Sequence, residues 1–240
     1  GTSSYGFPKL LLQLEVDYTD GSRETIVSDT SWKLTTNGPI LANNEYDGEE
    51  YDARMEMPGW STPGFDDSAW ERARVLAAPG GVLAASMFEP IRVTETIAPV
   101  SVARHGPGVF IADMGQNIVG WCRIKVEGPA GTKIALRHAE TLDKDGGLYL
   151  DNIRSAKVTD IYVLRGGGVE VYEPRFTYHG FRYVEVSGWP GDLDANAIAG
   201  RVVHDDVTPA GEFWCTNELL CRIYRNIDWG LRGNYRSVPT

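Results

Sequence analysis

Polar and apolar residues alternate along most of this chain. In LLLQLEVDYTDGSRETIVSD, Leu10, Leu12, Leu14, Val16 and Tyr18 fall on one side, and Gln13, Glu15 and Asp17 on the other. A period of two predicts a half-buried strand, and Asp20-Gly21 supplies the positive φ of a tight hairpin turn after it. Farther along, IRVTETI, GVFIADM, VGWCRIKVEG, TKIALRHAET, TDIYVLRG, VEVYEPRFTYH and FRYVEVSGW predict more short strands. GPAG, DKDGG, RGGG and WPGD separate them as turns. Near the end the period changes: Leu220, Ile223, Tyr224, Ile227 and Leu231 recur at helical steps. They share one face of a helix, and that face needs a covering surface.

Regularly spaced strands with Gly and Pro between them predict an all-β fold: two β-sandwich, jelly-roll-like domains followed by a short C-terminal helix. The looser LAAPGGVLAASMFEP spends two prolines and two glycines without periodicity and marks a boundary. The expected division is a first sandwich over 1–85, a second over 86–208, and a linker with helix over 209–240.

Charge narrows the partners. A formal net charge of −10 repels a nucleic-acid backbone or an anionic membrane and leaves neutral ligands such as sugars unaffected. No run approaches the roughly 20 apolar residues that cross a bilayer. The opening GTSSYGFPK has neither an initiator Met nor a signal peptide and reads as a cut or processed end. Cys122, Cys215 and Cys221 form neither a disulfide framework nor a metal pattern, so the compartment, periplasm or cytoplasm, stays open.

Four places offer chemistry. His138 and Glu140 make an H-x-E faintly like a cupin metal motif, but His138 shares a strand face with Ile134 and Leu136 and reads as a core histidine. DKDGGLYLDN begins like a calcium loop, yet Leu148 stands where such a loop needs glycine, so it reads as a hairpin turn. Trp121 lies on the strand face opposite Cys122, as a domain contact or as a platform for a sugar ring. The loop NNEYDGEEYDAR crowds amides and carboxylates around Tyr46 and Tyr51, suiting calcium or sugar hydroxyls, or else a polar hairpin with an Asp52–Arg54 ion pair.

NNEYDGEEYDAR, FDDSAWERA, DMGQNIVGW, HAETL, GLYLDNIRSAKVTDIYVLRG, PRFTYHGFRYVEVSGWPG and FWCTNELLCRIYRNIDWGLRGNYRSVPT occur together and in order. In this the chain resembles the bacterial α-L-rhamnosidases of glycoside hydrolase family 78. The resemblance implies two accessory sandwiches ahead of an (α/α)6 barrel, with the last helix as the first of that barrel. In the family, NYRSVPT runs into an acidic stretch bearing the general acid, with the base farther on. No catalytic residue is therefore assigned here, and the chain is expected to be inactive by itself.

The resemblance also implies that residues near NEYDGE take part in binding calcium and rhamnose, which makes Asn44 and Asp47 candidates for both, with Trp121 as a further sugar-binding candidate. No cofactor is required, and calcium is the candidate ion. The expected partners are a rhamnose-containing carbohydrate and the catalytic barrel itself. Asp113, Gln116, Asn117, His179 and Arg182 read as scaffold. Two alternatives stand beside this reading: a carbohydrate-binding module for rhamnose-containing glycans, and a cupin-like metalloenzyme on His138 and Glu140.

Overall fold

The structure, a computed structural model, describes residues 9–78, 80 and 82–237. The start of the opening stretch and the last three residues of NYRSVPT lie outside these. In chain order the strands are β1 (Gln13–Asp17), β2 (Arg23–Val27), β3 (Lys33–Leu34), β4 (Ile40–Asn44), β5 (Gly48–Asp52), β6 (Glu71–Arg72), β7 (Ile91–Ile97), β8 (Ser101–Gly106), β9 (Val109–Glu127), β10 (Lys133–Ala139), β11 (Thr159–Val163), β12 (Val169–Tyr172), β13 (His179–Ser187) and β14 (Ile198–Asp205). One helix, α1 (Glu218–Asn234), follows. The fold is all-β with a C-terminal helix, and it divides into two units.

The smaller unit takes in residues 1–38 and 57–84. Antiparallel β1–β2 is the predicted hairpin, with Gly21 at φ 85° in its turn. Its apolar residues Leu10, Leu14, Tyr18 and Ile26 are exposed rather than half-buried. Among the described residues β1 and β2 pair only with each other, and two strands cannot cover their own apolar face. Strands β3 and β6 pair as a second short ladder, braced where Lys33 Nζ meets Asp67 Oδ1 at 2.6 Å. Asp66 caps the turn at Ser68 N, and Trp70 packs edge-on against Phe65.

The larger unit, residues 39–56 and 85–240, holds a ten-stranded sheet ordered β4-β5-β11-β10-β13-β9-β14-β7, with β8 and β12 also on β9. Residues 39–56 lie inside the span 1–85 expected for the first domain, yet they build the edge of this sheet: β5 pairs parallel with β11. Strand β9 explains the curl. Its first half runs between β8 and β13, while its second half carries β12 and β14. What reads in the sequence as two strands, GVFIADM and VGWCRIKVEG, is thus one 19-residue strand shared by both sides of a sandwich.

Two glycines let β9 turn. Gly115 sits at φ 75°, and a Cβ at Gly120 would overlap the carbonyl oxygen of Arg201 on β14. The phase of β9 is kept, so Phe110, Ala112, Met114, Ile118, Cys122, Ile124 and Val126 all enter the core. They meet Ile134 and Leu136 of β10, Phe181, Val184 and Val186 of β13, and Ile198 and Val202 of β14. Strands β8 and β14 are not among the predicted segments.

Helix α1 starts at Asn217, whose side chain accepts from Leu219 N and Leu220 N at 3.0 and 3.3 Å. Trp229 packs against the sandwich core and Arg232 reaches Glu95. The predicted stripe of Leu220, Ile223, Tyr224, Ile227 and Leu231 remains 38–57 % exposed.

Candidate functional site

The candidate residues fall into two separate grooves of the larger unit. Asn44 and Asp47 line one, of about 400 Å³, across the outer face of β4, β5, β11, β10 and β13. Trp121 lines the other, of about 460 Å³, with Tyr51, Glu56, Tyr162, Tyr172, Glu173, Arg175 and Arg201.

The Trp121 groove follows from strand phase. Core residues of β9 are even-numbered here, so Trp121 points away from the core, and pairing places it beside Arg201 of β14. Just past the end of β12, Glu173 ties the two together. Its Oε2 accepts the indole N–H at 2.8 Å and lies 3.3 Å from Arg201 Nε, while Arg201 Nη1 donates to Thr96 Oγ1 at 2.5 Å.

Three tyrosines close the other side. Tyr162 stacks on Tyr172 with centroids 4.5 Å apart, and Tyr51 lies 5.8 and 5.7 Å from the two. The hydroxyls of Tyr51, Tyr162 and Tyr172 donate to Glu56, Glu170 and Glu49 at 2.9, 2.8 and 3.1 Å. Burial, then the neighbouring carboxylates, raises all three phenols, so they stay protonated donors. The Arg175 guanidinium sits 5.4 Å over the Tyr51 ring and, among the described residues, forms no ion pair. Aromatic surface beside forked donors and carboxylates suits a polyhydroxylated ligand; the groove offers binding groups rather than a nucleophile.

In the other groove the expected polar hairpin forms. Asn44 Oδ1 accepts Tyr46 N and Asp47 N at 2.9 and 2.7 Å, and its amide nitrogen donates to Asp47 Oδ2 at 3.2 Å. Asn44 thus spends its oxygen on the turn, and Lys157 stands 3.9 Å from Asp47. The Asp52–Arg54 ion pair is present at 2.7 Å. DKDGG is likewise a turn, with Asp143 Oδ1 accepting from Asp145 N and Gly147 N.

The H-x-E pair is not assembled. Strand β10 ends at Ala139; Glu140 is exposed and accepts from Asn117 Nδ2 at 2.9 Å, whereas His138 is buried, with Nδ1 bonded to Val158 O at 3.1 Å. This corrects the cupin-like alternative. The partners of His138 are two residues that spacing does not reveal, because strand pairing brings them in: Asp160 and His179. His179 Nε2 bonds both Asp160 oxygens at 3.1 Å, and the two imidazoles stack at 4.3 Å and 21°.

These three residues offer metal-ligand atoms within 4.8 Å of one another. A bound ion lies in the plane of each ring it binds, and near-parallel stacked rings do not share such a point. Within the cluster His179 is hydrogen-bonded to Asp160, while His138 Nε2 and His179 Nδ1 are buried without a hydrogen-bond partner. Burial and the neighbouring His179 lower the His138 pKa to about 3, keeping it neutral. Burial works to raise Asp160, but the His179 hydrogen bond and charge outweigh it and hold the carboxyl below its ordinary range. Of the residues read as scaffold, Arg182 forks onto both Asp113 oxygens at 2.8 Å, and Asp113 Oδ1 also accepts from Gly115 N at 2.7 Å.

Two family profiles match the chain: "Alpha-L-rhamnosidase N-terminal domain" over residues 2–95 and "Bacterial alpha-L-rhamnosidase concanavalin-like domain" over 103–204. An α-L-rhamnosidase of Streptomyces avermitilis is 47% identical over 244 residues, covering 100% of this chain and 23% of that protein. One from Alteromonas sp. is 39% identical, covering 97% and 25%. Among solved structures, α-L-rhamnosidase from Dictyoglumus thermophilum superposes with a TM-score of 0.95 at 50% identity, over 98% of this chain and 27% of that one. The Streptomyces avermitilis enzyme complexed with L-rhamnose gives 0.90 at 47%, over 96% and 22%. The chain thus spans about a quarter of the length of the curated relatives it matches.

Proposed function

Because the chain belongs to the bacterial α-L-rhamnosidase family, we propose that it is the non-catalytic N-terminal part of such an enzyme, the whole protein releasing terminal α-L-rhamnose from glycosides or polysaccharides with inversion. The observation that carries this is the 47% identity over the full chain to a relative of which it spans 23%. The exposed stripe on α1 supports it, since a barrel helix would cover such a face with its neighbours. Inversion needs two carboxyl groups roughly 6.5–9.5 Å apart, one protonating the leaving oxygen and one activating water. On this reading both come from outside this chain. The purified 240-residue chain is expected to leave an aryl α-L-rhamnoside intact, while the whole enzyme cleaves it and first releases the β-anomer. Turnover by the chain alone overturns the reading.

A second reading, a carbohydrate-binding module, is favoured by the aromatic lining of the Trp121 groove. Titration with rhamnose oligosaccharides, with and without calcium, separates the two grooves. Binding that Trp121→Ala abolishes and a chelator leaves alone belongs to the Trp121 groove. Binding that a chelator and Asp47→Ala both abolish belongs to the Asn44–Asp47 loop with its calcium. No binding in either condition removes the module reading.

A further inference from the structure

Two of the three thiols lie side by side. Cys215 Sγ and Cys221 Sγ are 3.9 Å apart, on either side of the first turn of α1. Cys221 Sγ also lies 3.2 Å from Cys215 O, and Cys215 Sγ 3.4 Å from Asn217 O. Between them Asn217 caps the helix, and Cys221 N donates to Asn217 O at 3.2 Å, so backbone contacts fix the approach of the two side chains. Both cysteines are part-exposed, whereas Cys122 is fully buried in the core.

We propose that Cys215 and Cys221 are a disulfide-forming pair, a reversible clasp that locks the connection into α1 onto its first turn. Bonding needs the sulfurs to approach to about 2.05 Å, a side-chain adjustment within a hairpin-sized loop. The oxidant is a small dialkyl disulfide of the glutathione class. The thiolate of one cysteine attacks it, forming a mixed disulfide and expelling one glutathione thiolate. The thiolate of the second cysteine then attacks the protein sulfur of that mixed disulfide. The S–S bond to glutathione breaks, the intramolecular S–S bond forms, and a second glutathione leaves. The pair is oxidised by two electrons, the glutathione disulfide is reduced to two thiols, and these take up the two protons that the cysteines lose. A dithiol reductant runs the sequence backwards. The ring encloses the Asn217 cap, so fraying of the first helical turn is restrained while the clasp is shut.

The test uses the 240-residue chain, pre-reduced and then held with oxidised glutathione. Thiol titration in denaturant is expected to fall from three to one, as the sequence holds three cysteines and Cys122 is shielded. The tryptic peptide of residues 202–222, which contains both Cys215 and Cys221, is expected to lose about 2 Da and regain it with dithiothreitol. Amides of Leu219 and Leu220 are expected to exchange about tenfold more slowly in the oxidised form. Cys215→Ser and Cys221→Ser, both at part-exposed sites, each keep two thiols after mild oxidation or trap a single glutathione. Three surviving thiols in the wild-type chain, a disulfide-linked dimer, or an intramolecular disulfide that still forms in Cys221→Ser overturns the proposal. None of these readouts depends on rhamnosidase turnover, so the outcome stands apart from the proposed function.

Discussion

The backbone N–H of Glu49 donates to Oδ1 of Asp160 at 3.0 Å, joining residues 111 positions apart. The Glu49 carboxylate, fully buried, in turn accepts from Asn43 Nδ2, Tyr172 O–H and Arg175 N. Asp160 also receives His179. One buried network thereby seats the β4–β5 hairpin on the rest of the larger unit. Asp160→Ala leaves both the His179 ring and the Glu49 amide without their acceptor, and is expected to lower stability by about 3 kcal/mol or more in urea unfolding. Glu49→Gln keeps the shape and one of the two acceptor oxygens, which can stay on Asn43 Nδ2 and Arg175 N while the Tyr172 hydroxyl turns to accept from the new amide, and is expected to cost about 1 kcal/mol.

Acid is expected to weaken the larger unit through His138. Its folded pKa is lowered to about 3, while in the unfolded chain it titrates near 6.5. Between those values the unfolded state binds the extra proton, so stability is complete above about pH 6.5 and is lost as pH falls towards 3. At pH 5 the loss is about 2 kcal/mol. Glu49, whose carboxyl is raised by burial, works in the opposite sense at lower pH. Comparing urea midpoints of wild type and His138→Gln from pH 7.5 to 5 isolates the histidine: the variant is expected to show a flatter profile. An equal slope in both would assign the acid response elsewhere.

Gly120 is expected to tolerate no side chain. With β14 crossing so close that a Cβ would overlap the Arg201 carbonyl oxygen, Gly120→Ala must push β9 and β14 apart. A loss of about 3 kcal/mol, read from the thermal midpoint, is the expected outcome, together with weakened Trp121 fluorescence shielding because Trp121 pairs with Arg201. Gly146→Ala, in an open turn with nothing near its Cβ, serves as the mild comparison, costing about 1 kcal/mol for its positive φ.

The stripe on α1 is expected to be energetically silent within this chain. Ile223→Glu and Ile227→Glu, at exposed positions, should shift the urea midpoint by no more than about 0.5 kcal/mol and raise solubility. Asn217→Ala, which removes a cap, should instead cost about 1 kcal/mol of helix stability, visible as lost ellipticity at 222 nm.

What the sequence reveals follows from what alternation can encode. Strands β10, β11 and β13 are legible because each buries one face, and α1 is legible because its stripe keeps helical steps. Strand β14 is hidden by Gly200, which reads as a turn signal; in the fold it is small because Ile118, Ile97 and Met114 crowd onto it. The single long β9 reads as two strands because Gly115 interrupts its pattern at the bend. Trp121 is placed correctly by its phase opposite Cys122, but its partner Glu173 and the groove's Arg175 come from beyond β12, and no spacing rule links them. For the same reason His138 suggests Glu140, its neighbour in sequence, while Asp160 and His179 are neighbours only through strand pairing. Cys215 and Cys221 look unrelated until the helix start folds one back over the other.

The division of the chain has a practical corollary. Residues 39–56 belong with 85–240 while the stretches on either side of them form the smaller unit, so the backbone changes allegiance after positions 38, 56 and 84. A truncation at residue 85 would strip away two edge strands, bare the flank of β11, and orphan the polar groups that Glu49 now satisfies. The sandwich has no contiguous minimal version, and a shortened expression product has to keep the hairpin by splicing rather than by cutting.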